Sequence, residues 1–369
     1  MIKDLYKPGS YPNLAPPKGT VGFYGWTKSN LFSSLSNSLL TIFSFILLYF
    51  LIDGIIGWFF LDAVFDADSK IECRKIDSGA CWAVITRRIG QFIYGFYPDA
   101  ERWRIDIVFI GLFFASAPLL YPDLPFRRWL LWFSGFYPFI AFILINGGLF
   151  GLVSIEINLF GGFMLTMIIG VSGIVCSLPL GIMLALGRQS KLTVVRSISV
   201  CFIEFMRGVP LITLLFVASS MLNYFMPPGT NFSILVRVII MFTFFAAAYI
   251  AEVIRGGIQA IPKGQYEAAE ALGMTYWQTT RFITLPQAMK ISIPGIVNTF
   301  IGLYKDTTLV IVIGLLDPLG IGRAAVSDTK WNGLSTETYL FVALFFFVSC
   351  FAMSRYSLWL ENKLNTDHR

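Results

Sequence analysis

Residues 263–289, KGQYEAAEALGMTYWQTTRFITLPQAM, decide how this chain is read. The stretch is polar and rich in alanine, yet apolar runs long enough to cross a bilayer flank it on both sides. It reads as two short helices at an angle. Pro262 can open the first, since a missing N–H costs nothing in a first turn. Residues 265–272 are good helix material, and Gly273 can take the left-handed conformation that closes a helix. Thr275 and Gln278 have the spacing of a capping box, which opens the second helix. Pro286 is expected to end that helix or to kink it into the next apolar run. Ala268, Ala269 and Ala271 keep the first helix thin, with acids at Glu267 and Glu270. Such a helix can sit in a groove on a partner. The competing reading is a solvated helix, or one packed on its own bundle.

The surroundings are those of a membrane protein. Of 369 residues, 56% are hydrophobic and 14% charged, against about 25% charged in a soluble domain. Mean hydropathy is +0.69. About eight spans are expected, at 39–60, 105–120, 129–152, 163–186, 208–226, 238–256, 291–315 and 339–360. Their length points to an all-α integral membrane protein rather than a β-barrel. The net charge of +6 fits Lys and Arg gathered in cytoplasmic loops better than nucleic-acid binding. Lys3, Lys7, Lys18 and Lys28 precede span one; Arg127 and Arg128 link spans two and three. Arg188, Lys191 and Arg196 link spans four and five, and Lys263, Arg281 and Lys290 lie in the hairpin. All four segments share one side, which places both termini in the cytoplasm. The last link, 316–338, fits less well, with Arg323 and Lys330 outside. The polar N-terminal tail does not have the form of a signal peptide, so span one is expected to remain in the mature protein.

The long segment 61–104 is expected on the outer side and holds Cys73 and Cys81. Two cysteines in one outer loop favour a disulfide over two free thiols. Composition changes near Gly161. The expected organisation is a tail at 1–35, three accessory spans with their long loop at 36–160, and a working part at 161–362 that holds the hairpin loop at 259–289. A short tail follows at 363–369. A single histidine, His368, argues against a histidine metal site or proton relay. Gly-x-x-x-x-Gly-Lys-[Ser/Thr] does not occur, so no Walker-type phosphate cradle is present in this chain. Uphill transport would need an ion gradient or an ATPase on another chain.

The run EAAEALGMTYWQTTRFITLP resembles the EAA loop of ABC importer permeases. Glu267, Ala268 and Ala269 are followed by Gly273, and later by Leu285 and Pro286, at that motif's spacing. The resemblance implies a coupling helix that docks on an ATPase subunit. Three further runs are similar to permeases for polar amino acids: AAYIAEVIRGGIQAIPKGQYEAA, EFMRGVPLITLL and LYKDTTLV. Val209 replaces the usual threonine in the second and Thr308 the usual serine in the third. The leading spans and ACWAVITRRIGQFIYGFYP resemble the larger membrane subunits of general L-amino-acid importers. This implies a five-helix MetI-like permease core behind three accessory helices, in the bacterial inner membrane. It also implies a second homologous permease chain, two ATPases that carry ATP and Mg, and a periplasmic amino-acid-binding protein. No cofactor, metal or catalytic residue is expected in this chain. The alternative is an ion-coupled secondary transporter or channel.

An amino acid brings a carboxylate and an ammonium, and broken helices often receive both. Lys305 lies roughly 21 Å along a helix from Ile291. Asp306 or Thr307 could there cap a second half-helix. Glu204 and Arg207 flank the start of span five, where Pro210 limits helix continuity. Glu204, Arg207, Asp306 and Thr307 are therefore candidates to line the path. Glu252 and Arg255, three residues apart on one helix face, are expected to form a structural ion pair. If so, swapping them should retain more activity than removing either.

Overall fold

The computed structural model describes residues 22–76, 79–121, 123–221, 224, 227 and 232–364. The chain divides into two compact units, residues 1–65 with 72–82, and 66–71 with 83–369. In the first, helices α1 (Gly22–Asn30) and α2 (Leu35–Ile56) are followed by a π-helical turn, Gly57–Leu61. Ser34 caps α2 by accepting from the Asn37 N–H. No residue of α2 is buried, as suits a helix whose solvent is lipid. Past the turn, the Trp82 indole donates to the Phe59 carbonyl at 2.9 Å, and Cys73 is bridged to Cys81 with Cα atoms 5.8 Å apart.

Helices α3 (Lys70–Ile76) and α4 (Ala83–Tyr94) lie in the expected outer segment. In the second unit, α5 (Arg102–Leu120) and α6 (Arg127–Asn146) form an antiparallel pair. Across it Ser134 donates to the Ala115 carbonyl at 2.7 Å, and Tyr137 to that of Val108 at 2.7 Å. Helix α6 stops at Gly147, with φ of 68°, several residues short of the expected end at 152. The remaining helices are α7 (Gly162–Arg188), α8 (Thr193–Gly208), α9 (Leu211–Ser220), α10 (Ile234–Gln259), α11 (Lys263–Ala271), α12 (Tyr276–Thr279), α13 (Leu285–Asp306), α14 (Pro318–Ser327) and α15 (Ser335–Leu364). Among the described residues, seven helices are long and apolar enough to span a membrane, and eight if the bent pair α8–α9 is one span.

The structure adds detail to the expected spans. Helices on either side of Gly161 pack together. Ile105, Val108, Ala115, Tyr137 and Ile145 of α5 and α6 share one core with Leu165, Ile169 and Leu215 of α7 and α9. Span five is not continuous over 208–226: α8 and α9 meet at 103° around Val209 and Pro210, and Leu222, Asn223, Phe225 and Met226 lie outside the described residues. Proline removes an N–H donor and disfavours helix in the residue before it, which accounts for the break. The last link carries a helix, α14, capped by Asp317, whose carboxylate accepts from Gly320 N at 2.9 Å and Leu319 N at 3.2 Å.

At the centre α10 packs against α7 and α13. Alanines 246, 247, 248 and 251 on α10 are buried and leave room for close approach. Gly257 marks the tightest contact near the hairpin: a Cβ there would lie 2.2 Å from Ser292 Oγ of α13. Ser292 also donates to the Val253 carbonyl at 3.2 Å. The helices that flank the hairpin are therefore packed backbone to backbone at their hairpin ends, and displacement of one carries the other.

Candidate functional site: a docking hairpin and an arginine-clasped carboxylate

The hairpin obeys local rules throughout. Helix α11 ends with Gly273 at φ of 69°. The Met274 N–H donates to the Ala269 carbonyl at 3.1 Å, and Gly273 N–H to that of Glu270 at 2.9 Å. These two bonds form a Schellman motif. The capping box is present too: Gln278 Oε1 accepts from Thr275 N at 2.8 Å, and Thr275 Oγ1 from Gln278 N at 3.4 Å. Pro286 neither ends nor breaks the second helix. A π-helical turn at Thr280–Thr284 precedes α13, and Tyr276–Ile313 runs as one helical span. Proline cannot donate to the carbonyl four residues back, and a π turn just before it is one way a helix absorbs that loss.

Ala269 is fully buried, so the thin face of α11 turns inward. Ala268, Glu267 and Glu270 are exposed, as are Leu272, Tyr276, Trp277 and Phe282. Leu285 is half-buried and Pro286 exposed at the start of α13. Gln287 donates to Gln265 at 3.1 Å and ties the two arms. The hairpin thus presents two carboxylates among exposed aromatic and aliphatic side chains, at the end of two rigidly packed spans.

Just beyond it lies a charge cluster. Glu252 of α10, with its side chain 15% exposed, meets three arginines. Arg188 of α7 is at 2.8 Å, Arg255 of α10 at 2.9 Å and Arg207 of α8 at 3.5 Å. Arg188 also holds Glu204 at 2.8 Å, and the Arg207 guanidinium lies 5.6 Å from the Tyr249 ring centre. The expected Glu252–Arg255 pair is one edge of this network, which pins three helices together. A swap would set an arginine at 252 against Arg188 and Arg207, so the expected rescue does not follow. Arg188 and its bond to Glu252 were missed; the sequence signal was one acid inside a largely apolar span.

Glu204 and Arg207 therefore lie at the hairpin end. Asp306 and Thr307 lie far from them: Ser292 is level with Val253, and Asp306 follows 14 residues later, roughly 21 Å along α13. There the helix tightens into a 3₁₀ run, Thr307–Ile313, ended by Gly314 at φ of 87°. Asp306 caps no N–H of that run. Thr307 is fully buried, and its hydroxyl donates to the Tyr304 carbonyl at 2.7 Å. The four path candidates thus form two pairs at different depths. Among the described residues no cluster of His, Cys, Asp and Glu fit for a metal ion occurs.

A broken span and a solvent-facing hairpin between two packed spans are features of a membrane permease subunit. The chain belongs to the family described as binding-protein-dependent transport system inner membrane component, matched over residues 177–366. It is a multi-pass protein of the bacterial inner membrane and an ABC transporter permease. It is 47% identical to the glutamate/glutamine/aspartate/asparagine transport system permease protein BztC of Rhodobacter capsulatus, over 96% of this chain and 98% of that one. It is 49% identical to the inner membrane amino-acid ABC transporter permease protein YhdY of Escherichia coli, over 92% of this chain and 93% of that one. A crystal structure of an amino acid ABC transporter with histidines aligns with a TM-score of 0.49 and 29% identity, over 54% of this chain and 91% of that one.

Proposed function

We propose that this subunit conducts polar L-amino acids inward, beside a second homologous permease chain and above two ATPases that carry ATP and Mg. A periplasmic binding protein delivers the substrate to the side opposite the hairpin, and both termini are cytoplasmic. The hairpin carries this reading. Its Schellman and capping-box bonds fix the angle between α11 and α12 and hold Glu267, Glu270, Leu272 and Trp277 toward solvent, where a partner groove can seat them. Long-chain similarity to BztC, a permease named for four acidic and amide amino acids, supports the substrate class. In the path, Asp306 at the helix-to-3₁₀ transition receives the substrate's ammonium, with Thr307 shaping the bend. Glu204 and Arg207 line the inner end.

The test is Asp306→Asn in the reconstituted transporter with its binding protein. The expected result is loss of uptake while assembly and ATPase activity persist. Unchanged uptake kinetics for acidic, neutral and basic amino acids would remove Asp306 from the path. Co-purification through a tag on this chain should bring down a second permease and an ATPase. Recovery of this chain with the ATPase alone would refute the heterodimer.

A further inference from the structure

Beside the arginine-clasped carboxylate, the ends of α7 and α10, one flank of α8 and the start of α11 border an open cleft of about 740 Å³. Arg188, Arg196, Arg255 and Lys263 line it, and no acidic side chain does. An adjoining hollow of about 530 Å³ shares Arg196, adds Lys191 and runs past Thr193 and Ser197 to Cys201. Glu252 and Glu204 offset the charge of Arg188 and Arg255, whereas Arg196 and Lys263 are exposed. The depth is informative. At 27 residues α7 is about 40 Å long, so Arg188 at its end lies beyond a hydrocarbon core of about 30 Å, among headgroups.

The second observation is the outer face of α8. Val194, Ile198 and Phe205 are 70%, 65% and 56% exposed and fall on one side of the helix. Cys201, at the end of the second hollow, borders that side. This apolar strip leads from the cations toward the level of Ala248, where Met206 packs. Cations at headgroup depth, joined by a hydroxyl-lined hollow to an apolar strip that runs into the bilayer, match the parts of one molecule in order. We infer that this cleft binds an anionic phospholipid of the leaflet on the hairpin side, with its phosphate between Arg196 and Lys263 and its acyl chains along Val194, Ile198 and Phe205. Lys263 begins the docking helix, so the lipid bridges the spans and the hairpin.

The intact transporter, purified in detergent and stripped of lipid, is titrated with phosphatidylglycerol or phosphatidylcholine and read by native mass spectrometry. Phosphatidylglycerol should be retained preferentially. Arg196→Gln and Lys263→Gln should each weaken it about fivefold, and Arg196→Lys should keep it. Glycerol phosphate, with the same anion and no acyl chains, should not displace it. Equal retention of both lipids, or no effect of Arg196→Gln, overturns the proposal. Displacement by glycerol phosphate would make this a free-anion site and overturn it too. Hydrogen exchange that shows α8 covered by a partner subunit at 194–205 would do the same.

Discussion

Replacing Gly273 separates two reasons for a glycine in the docking hairpin. Its φ of 69° lies where an L-residue costs about 1–2 kcal/mol, with asparagine the best tolerated after glycine. A Cβ placed there meets no heavy atom within 4 Å, so the cost within this chain is one of backbone conformation alone. If the ATPase requires the Schellman geometry, Gly273→Ala should weaken its docking by up to roughly 5–30-fold, the factor that 1–2 kcal/mol represents. Gly273→Val should do worse, because a β-branched residue is an outlier in that region. Gly273→Asn should stay within a few-fold of the parent. The assay titrates purified ATPase onto each tagged variant in detergent, with membrane insertion checked by immunoblot. Should asparagine prove as harmful as valine, the partner packs directly on the glycine, and the backbone argument is wrong. Parent-like docking by valine would remove Gly273 from the coupling role.

Glu252→Gln leaves three arginines around a neutral group and should destabilise the hairpin end by about 3 kcal/mol, seen as a lower melting temperature in detergent; an unchanged melt would deny the network a structural role. The Glu252–Arg255 swap should be no better than either single loss, and rescue by it would reinstate the simple pair. Burial pushes the Asp317 carboxyl up to about 6, against the N–H bonds of Gly320 and Leu319, which lower it. The fold therefore favours the neutral acid: that stabilisation is complete below pH 3.8 and is lost as pH rises through about 6. Asp317→Asn, which keeps the cap, should flatten the thermal-stability profile across that window and be at least as stable at neutral pH; an unaltered slope would refute the assignment. Cys73 and Cys81 should react with a thiol probe only after reduction, and removing the bridge should cost roughly 2–3 kcal/mol of local stability, read as faster proteolysis of the loop. Equal labelling with and without reductant would contradict the bridge.

Local rules explain why the hairpin was legible. Gly273, Thr275 and Gln278 act through bonds to residues within five positions, so spacing alone carries the geometry. The spans were legible for a similar reason, since hydrocarbon thickness sets a minimum apolar run. Helix α8 was hidden because its polar flank with Arg196 and Ser197 interrupts the apolar run, while its one buried side, with Ser199, Ile203 and Met206, is narrow. The spacing of Val194, Ile198 and Phe205 was the signal for it. The Glu252 network was illegible because its three arginines come from three helices, and no local pattern pairs Arg188 with a residue of α10. The π turn before Pro286 was likewise a choice among several ways to absorb one lost hydrogen bond.

If a separate ATPase drives amino-acid uptake through the hairpin, labelled glutamate or glutamine uptake will show it in vesicles that contain the reconstituted transporter, with binding protein outside and ATP inside. Uptake should require ATP, should survive a protonophore and a sodium-free medium, and should fall with Gly273→Val while the chain remains in the membrane. Uptake that continues without ATP and collapses with the ion gradient would contradict the account.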